Sequence, residues 1–226
     1  MDVIERLPVA FDVAEVSARL RFDPARAGFP SLDGLIELAR TLIAPRAVYD
    51  VSFIGTMGEG TVEVGGVTMA SPVLRGQLDG INRVFPFIVT VGPALERAAG
   101  AQDDILKQYY LEEMANLALE KAAAWLAGTI EARFGLDRLS SLSPGSLADW
   151  PITEQPKLFS LFGDTEKLVG VRLTDSMLMI PRKSISGIFF PSEEGFSACQ
   201  LCDRERCPGR KAPFSAPSSL STKESL

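Results

Sequence analysis

SPGSLADWPITEQPKLFSLFGDTEKLVGVRLTDSMLMIPRKSISGIFFPSEEGFSACQLCDRERC, residues 143–207, decides how the rest of the chain is read. It opens on a Pro144-Gly145 turn and passes a Trp150-Pro151 corner into a short amphipathic segment, EQPKLFSLF. The apolar pattern KLVGVRL then predicts a strand over Asp164 to Leu173. A polar TDSM turn follows, and KSISG begins a second strand over Lys183 to Phe190. The stretch closes on Cys-x2-Cys-x4-Cys.

Upstream, the pattern changes period. Residues 2–11 form an apolar arm, and Asp12 suits the cap of a helix running to Arg21. Ser31 or Asp33 starts a second helix whose Leu35, Ile36, Leu38, Ala39 and Leu42 make a buried stripe, ending before Pro45. Residues 48–54 and 61–64 read as strands, and Gly65-Gly66 turns the chain into a third at 67–69. A short helix is expected near Pro72 to Leu78. Val84 to Val91 is almost continuously apolar, as a central strand covered on both faces requires. From Asp103 or Asp104 to about Arg133, Leu106, Tyr110, Met114, Leu117, Ala118, Ala122 and Trp125 recur at helical spacing. Glu113 and Glu120 sit two turns apart along one edge of that stripe. The expected fold is α+β, with helices packed on a twisted, mostly antiparallel sheet. It is expected to occupy residues 1–198, followed by a Cys-rich extension at 199–210 and a disordered tail at 211–226.

Composition narrows the function. The chain has 226 residues, a net charge of −6 and no histidine. Without imidazole there is no Ser-His or Cys-His nucleophile pair, and the commonest zinc ligand is missing. The acidic balance disfavours nucleic acid and anionic membrane as partners. No uncharged apolar run approaches a membrane span, and the acidic N-terminus lacks a secretory layout. A cytoplasmic location is expected.

The words of the 143–207 stretch resemble, in order, the activation domain of cobalamin-dependent methionine synthase. The matching pieces are Ser143-Pro144-Gly145, Leu158-Phe159, Leu173-Thr174-Asp175-Ser176, Met179-Ile180-Pro181 and Ser184-Ile185-Ser186-Gly187. A Thr-x-Gly at Thr90-Val91-Gly92 extends the likeness upstream. The resemblance implies a domain that binds S-adenosylmethionine and docks over the cobalamin of a corrinoid-carrying partner, restoring it by reductive methylation. It implies a ligand role for Glu120, Ser143, Pro144, Gly145, Ser146, Ala148 and Phe196. Two departures stand out: Ser141 replaces an arginine of the family pattern, and Ser146 replaces a tyrosine. Weak or absent S-adenosylmethionine binding is therefore expected. A non-catalytic docking module for a corrinoid protein is the alternative, with Pro144, Trp150 and Ser186 on the docking face.

Cys199, Cys202 and Cys207 are the only cysteines. Crowded among charged residues, they suggest thiolate ligands of an iron–sulfur cluster or zinc, or a small redox protein built on that centre. A reduced, inert trio is the other reading. Arg204, Arg206 and Arg210 would favour thiolates.

Overall fold

The computed structural model describes residues 1–21, 32–193, 195–207 and 210–215. Its framework is an eight-stranded sheet, antiparallel at every pairing, with helices on both faces. The expected α+β class is what the chain adopts.

The central strand is β6 (Arg83–Thr90), the apolar run expected to be covered on both sides. Along one edge it pairs with β10 (Ser184–Pro191), which in turn pairs with β7 (Leu139–Leu142). Along its other edge it pairs first with β2 (Arg46–Tyr49) and then with β3 (Ser52–Gly58). β1 (Asp2–Ile4) extends the sheet beyond β2, while β4 (Thr61–Val64) and β5 (Val67–Ala70) extend it beyond β3. Pro86 lies where β2 gives way to β3. Its carbonyl accepts from the Asp50 N–H at 3.0 Å. Alternation puts its own missing N–H on that same side, in the gap between two neighbours, where no ladder bond is lost.

Alternation along β6 also divides the core. Phe85, Phe87 and Val89 pack with Ala122, Leu126 and Ile130 of the long helix α5 (Ile105–Phe134). That helix is packed in turn against α1 (Val13–Leu20), α2 (Leu32–Leu42) and α4 (Ala94–Gly100). On the opposite face, Val84 joins Trp150, Leu158, Ile188 and Phe190, and Ile88 joins Phe159, Phe162, Val169 and Val171. The shorter helices α3 (Pro72–Gln77) and α6 (Gln155–Ser160) lie on this second face.

The helix ends are set locally. Asp12 accepts from the N–H groups of Ala14 and Glu15, and Asp104 from those of Leu106 and Lys107, as their positions in sequence suggested. The start near Ser31 falls outside the described residues at Ser31 itself, and the helix is present from Leu32.

One element differs in kind. Thr165–Val169 is a helix, α7, not the start of a strand; only Arg172–Leu173 (β8) is extended, pairing with Met179–Ile180 (β9). The Asp164 carboxylate accepts from the Lys167 N–H, and Gly170 closes the helix with φ +74°. These two caps lie one helix-turn-and-a-half apart and outweigh the β-like apolar spacing between them. Among the described residues no helix is long and apolar enough to cross a membrane.

Candidate functional site

The Ser143–Trp150 turn is built by backbone constraints. Gly145 adopts φ +82°, and its N–H donates to the Trp150 carbonyl at 2.7 Å. A Cβ there would sit 2.9 Å from Ile152 Cδ1, so both the conformation and the space require glycine. Ser146 Oγ donates to the Ser143 carbonyl at 2.6 Å. Gly187, the glycine of the Ser-Ile-Ser-Gly word, lets the end of β7 cross close over β10. A side chain there would collide with the Leu142 carbonyl and lie 2.8 Å from Ser143 Oγ.

Beside this turn lies a cleft of about 400 Å³. One wall is Leu139, Ser140, Ser141, Ser143 and Ser146; the other is Phe196, Ser197, Ala198, Cys199 and Lys211. Phe196 packs at 6.4 Å, tilted, on Phe190, and its N–H donates to Ser140 Oγ at 2.7 Å. A second cleft of about 300 Å³ shares Ser146 and is lined by Ala148, Asp149, Leu201, Cys202, Asp203 and Phe214, with Leu147. The structure thus gathers Ser143, Ser146, Ala148, Phe196, Cys199 and Cys202 in one region, with Gly145 and the buried Pro144 shaping the turn behind them.

Glu120 is not among them. It lies on α5, on the other side of the sheet, and takes the Arg19 guanidinium at 3.0 Å while Glu113 takes the same group at 2.9 Å. Arg19, Tyr109, Glu113 and Asn116 line a separate cleft between α1 and α5. The docking face expected around Pro144, Trp150 and Ser186 is also corrected. Pro144 is buried, Trp150 is fully so, and Ser186 is 2% exposed, because β10 is interior to the sheet and Trp150 belongs to its core. Ser184 is likewise internal, donating to the Pro181 carbonyl at 2.7 Å and lying 2.9 Å from Thr90 Oγ1.

The cysteine segment folds around a side chain. Arg210 spreads its guanidinium over the carbonyls of Cys199 (2.9 Å), Cys202 (3.2 Å), Ala212 (3.4 Å) and Arg204. Ser197 and Gln200 form a capping box over Ala198–Gln200. The Cys199 sulfur accepts the Lys211 N–H at 3.4 Å. That hydrogen bond holds the Cys199 thiol below the ordinary thiol range, against partial burial, which pushes it up. Among the described residues no three His, Cys, Asp or Glu side chains converge as a metal would need. Cys199, Cys202 and Cys207 in this arrangement do not fit an iron–sulfur cluster or zinc, and the segment's order comes from Arg210 instead. The chain then returns: Ser215 N–H donates to the Gln200 carbonyl at 2.8 Å, and Lys211 and Phe214 line the two clefts, so this part of the expected disordered tail is tied to the fold. The tail beyond lies outside the described residues.

Sequence reasoning missed Lys211 as a cleft residue. Its neighbours Ser, Pro and Lys carry no periodic signal, and the fork of Arg210 is visible only in three dimensions.

The family model described as "Vitamin B12 dependent methionine synthase, activation domain" matches residues 142–205. That stretch is similar to the methionine synthase activation-domain family. It spans the turn, β10, Phe196 and the first two cysteines, and so contributes to both sides of the cleft. Among solved structures, the chain is similar to the MetH reactivation domain, crystallised bound to AdoHcy. The TM-score is 0.55 at 17% identity, covering 87% of this chain and 82% of that one. The chain therefore has the activation-domain fold well beyond the matched segment. No curated protein sequence matches it.

Proposed function

We propose that this chain acts as an activation-domain module. It binds an S-adenosyl nucleotide in the cleft beside Ser143–Ser146 and presents it to the corrinoid of a partner methionine synthase or other corrinoid protein. The observation that carries this reading is that the family's stretch supplies residues to both walls of the cleft, Ser143 and Ser146 on one and Phe196 to Cys199 on the other. Support comes also from the fold, shared with a reactivation domain that holds AdoHcy.

The chemistry follows from the residues present. The methyl group would come from S-adenosylmethionine and pass to the partner's reduced corrinoid. This chain has no imidazole to ligate cobalt and offers no nucleophile–base pair, so its contribution is orientation of the donor. Gly145 shapes the turn behind the cleft by giving up a Cβ that would meet Ile152. The hydroxyls of Ser140, Ser141, Ser143 and Ser197 offer hydrogen bonds to ribose or amino-acid groups, and the Phe196 ring offers an apolar face.

The second reading, a docking module without nucleotide, is favoured by Ser141 and Ser146. Ser146 offers no ring face, and its hydroxyl is already committed to the Ser143 carbonyl. Calorimetric titration with S-adenosylmethionine and AdoHcy distinguishes the two. Weak, saturable binding abolished by Gly145→Val supports the first reading. No binding by folded wild-type protein overturns it and leaves the docking module.

A further inference from the structure

Leu139, Ser140, Ser141 and Lys211 line the cleft from outside the 142–205 stretch. Among the described residues the cleft lining holds a single cation, Lys211, and no carboxylate. Lys211 stands on the opposite wall from Ser141. Its place is fixed by two contacts of the neighbouring backbone. Arg210 is tied to four carbonyls, and the Lys211 N–H is tied to the Cys199 sulfur. Its side chain is exposed and forms no ion pair among the described residues. Arg138, the guanidinium nearest Ser141 in sequence, is placed elsewhere. It lies along Gly195, where a Cβ would sit 2.7 Å from its Nη1, and it does not line the cleft. Asp149 and Asp203 line the neighbouring cleft beyond Ser146.

We infer that Lys211 recognises the carboxylate of an amino-acid-bearing adenosyl ligand, reaching the cleft from the C-terminal segment. This rests on the nucleotide reading above. An ammonium is a compact point charge on a flexible stem, suited to one carboxylate oxygen with a hydroxyl such as Ser141 or Ser197 on the other. A charge-assisted bond in an open cleft corresponds to roughly a tenfold effect on affinity, and salt screens it.

The test is calorimetric titration of the full chain with two probes: AdoHcy, which carries the amino-acid end, and 5′-methylthioadenosine, which lacks it. Wild type is expected to bind AdoHcy more tightly than methylthioadenosine. Lys211→Ala should weaken AdoHcy about tenfold, leave methylthioadenosine unchanged and abolish the salt dependence; Lys211→Arg should keep AdoHcy binding. Wild type that binds both probes equally, or a Lys211→Ala protein that holds AdoHcy as wild type does, would overturn the Lys211 assignment while leaving the nucleotide reading in place. Wild type that binds neither probe overturns both. An unchanged melting temperature and Cys199 alkylation rate in Lys211→Ala verify that the segment is still folded, since its backbone bonds are untouched.

Discussion

Gly145→Ala tests the geometry of the turn at one atom. The residue holds φ +82°, where an alanine costs roughly 1–2 kcal/mol. The added Cβ would also stand 2.9 Å from Ile152 Cδ1 and 3.3 Å from Ile152 Cβ. Ile152 is 39% exposed, so its terminal methyl can swing away, but its Cβ moves only with the backbone. The steric part is therefore at the low end of overpacking, about 1 kcal/mol. The total is about 2–3 kcal/mol, or a fall in Tm of roughly 4–12 °C for a chain of this size. Urea denaturation followed by circular dichroism measures it, with Ile152→Ala as a second background. In that background Gly145→Ala should recover the steric part and retain the conformational one. A Gly145→Ala protein within about 0.5 kcal/mol of wild type, the ordinary range of a surface substitution, would refute the argument.

Other expectations concern separate regions. Gly187→Ala should be more damaging than Gly145→Ala, about 3 kcal/mol or more by denaturation, because the obstruction is the Leu142 carbonyl, which has nowhere to go. Arg210→Ala should expose Lys211 and Arg204 to trypsin, since four carbonyls lose their donor, while the melting of the sheet stays within about 1 kcal/mol. Cys199 has a thiol pKa lowered in the folded state, so its thiolate persists as pH falls below the ordinary thiol value of about 8.5. Any stability from that shift is present above the unfolded value and is lost as pH falls through the folded one. Iodoacetamide should thus label Cys199 at a lower pH than a free thiol, and Lys211→Pro, which removes the donor, should restore the ordinary profile. Glu120→Ala should leave AdoHcy affinity unchanged and cost about 0.5 kcal/mol or less through Arg19, an effect that vanishes at 1 M salt.

Much of the framework was legible because its signals are local. Asp12 and Asp104 announce helix starts, the run at 84–91 announces a buried strand, and the ordered words of 143–207 lead to the family. What was not legible depends on packing at a distance. Thr165–Val169 has an apolar spacing compatible with either state, and only the caps at Asp164 and Gly170 decide it. Glu120 shares a helix edge with Glu113, which says nothing about which side of the sheet that edge occupies. The charged surroundings of Cys199, Cys202 and Cys207 suggested ligands to a metal, whereas Arg210 satisfies the backbone of the same segment. Lys211 lies in a stretch whose composition carries no fold signal, and it enters the site only because the chain doubles back at Ser215.

Pro86 has a consequence for how the sheet finds its alignment. Alternating burial forbids a slip of β6 by one residue, since that would turn Phe85, Phe87 and Val89 to the wrong face. It is blind to a slip by two, which leaves every side chain on its own face. A two-residue shift in one direction would put Pro86 in the slot of Ile88, opposite Val48. In the other direction it would occupy the slot of Val84, opposite Ser52. Either slot asks for an N–H that proline lacks, leaving a buried carbonyl without its donor at a cost of about 1–3 kcal/mol. The hand-over between β2 and β3 is the one place along that edge where a proline is harmless. A single imino acid thereby rejects the misalignments that hydrophobic patterning would accept, and fixes where four strands and the long helix meet.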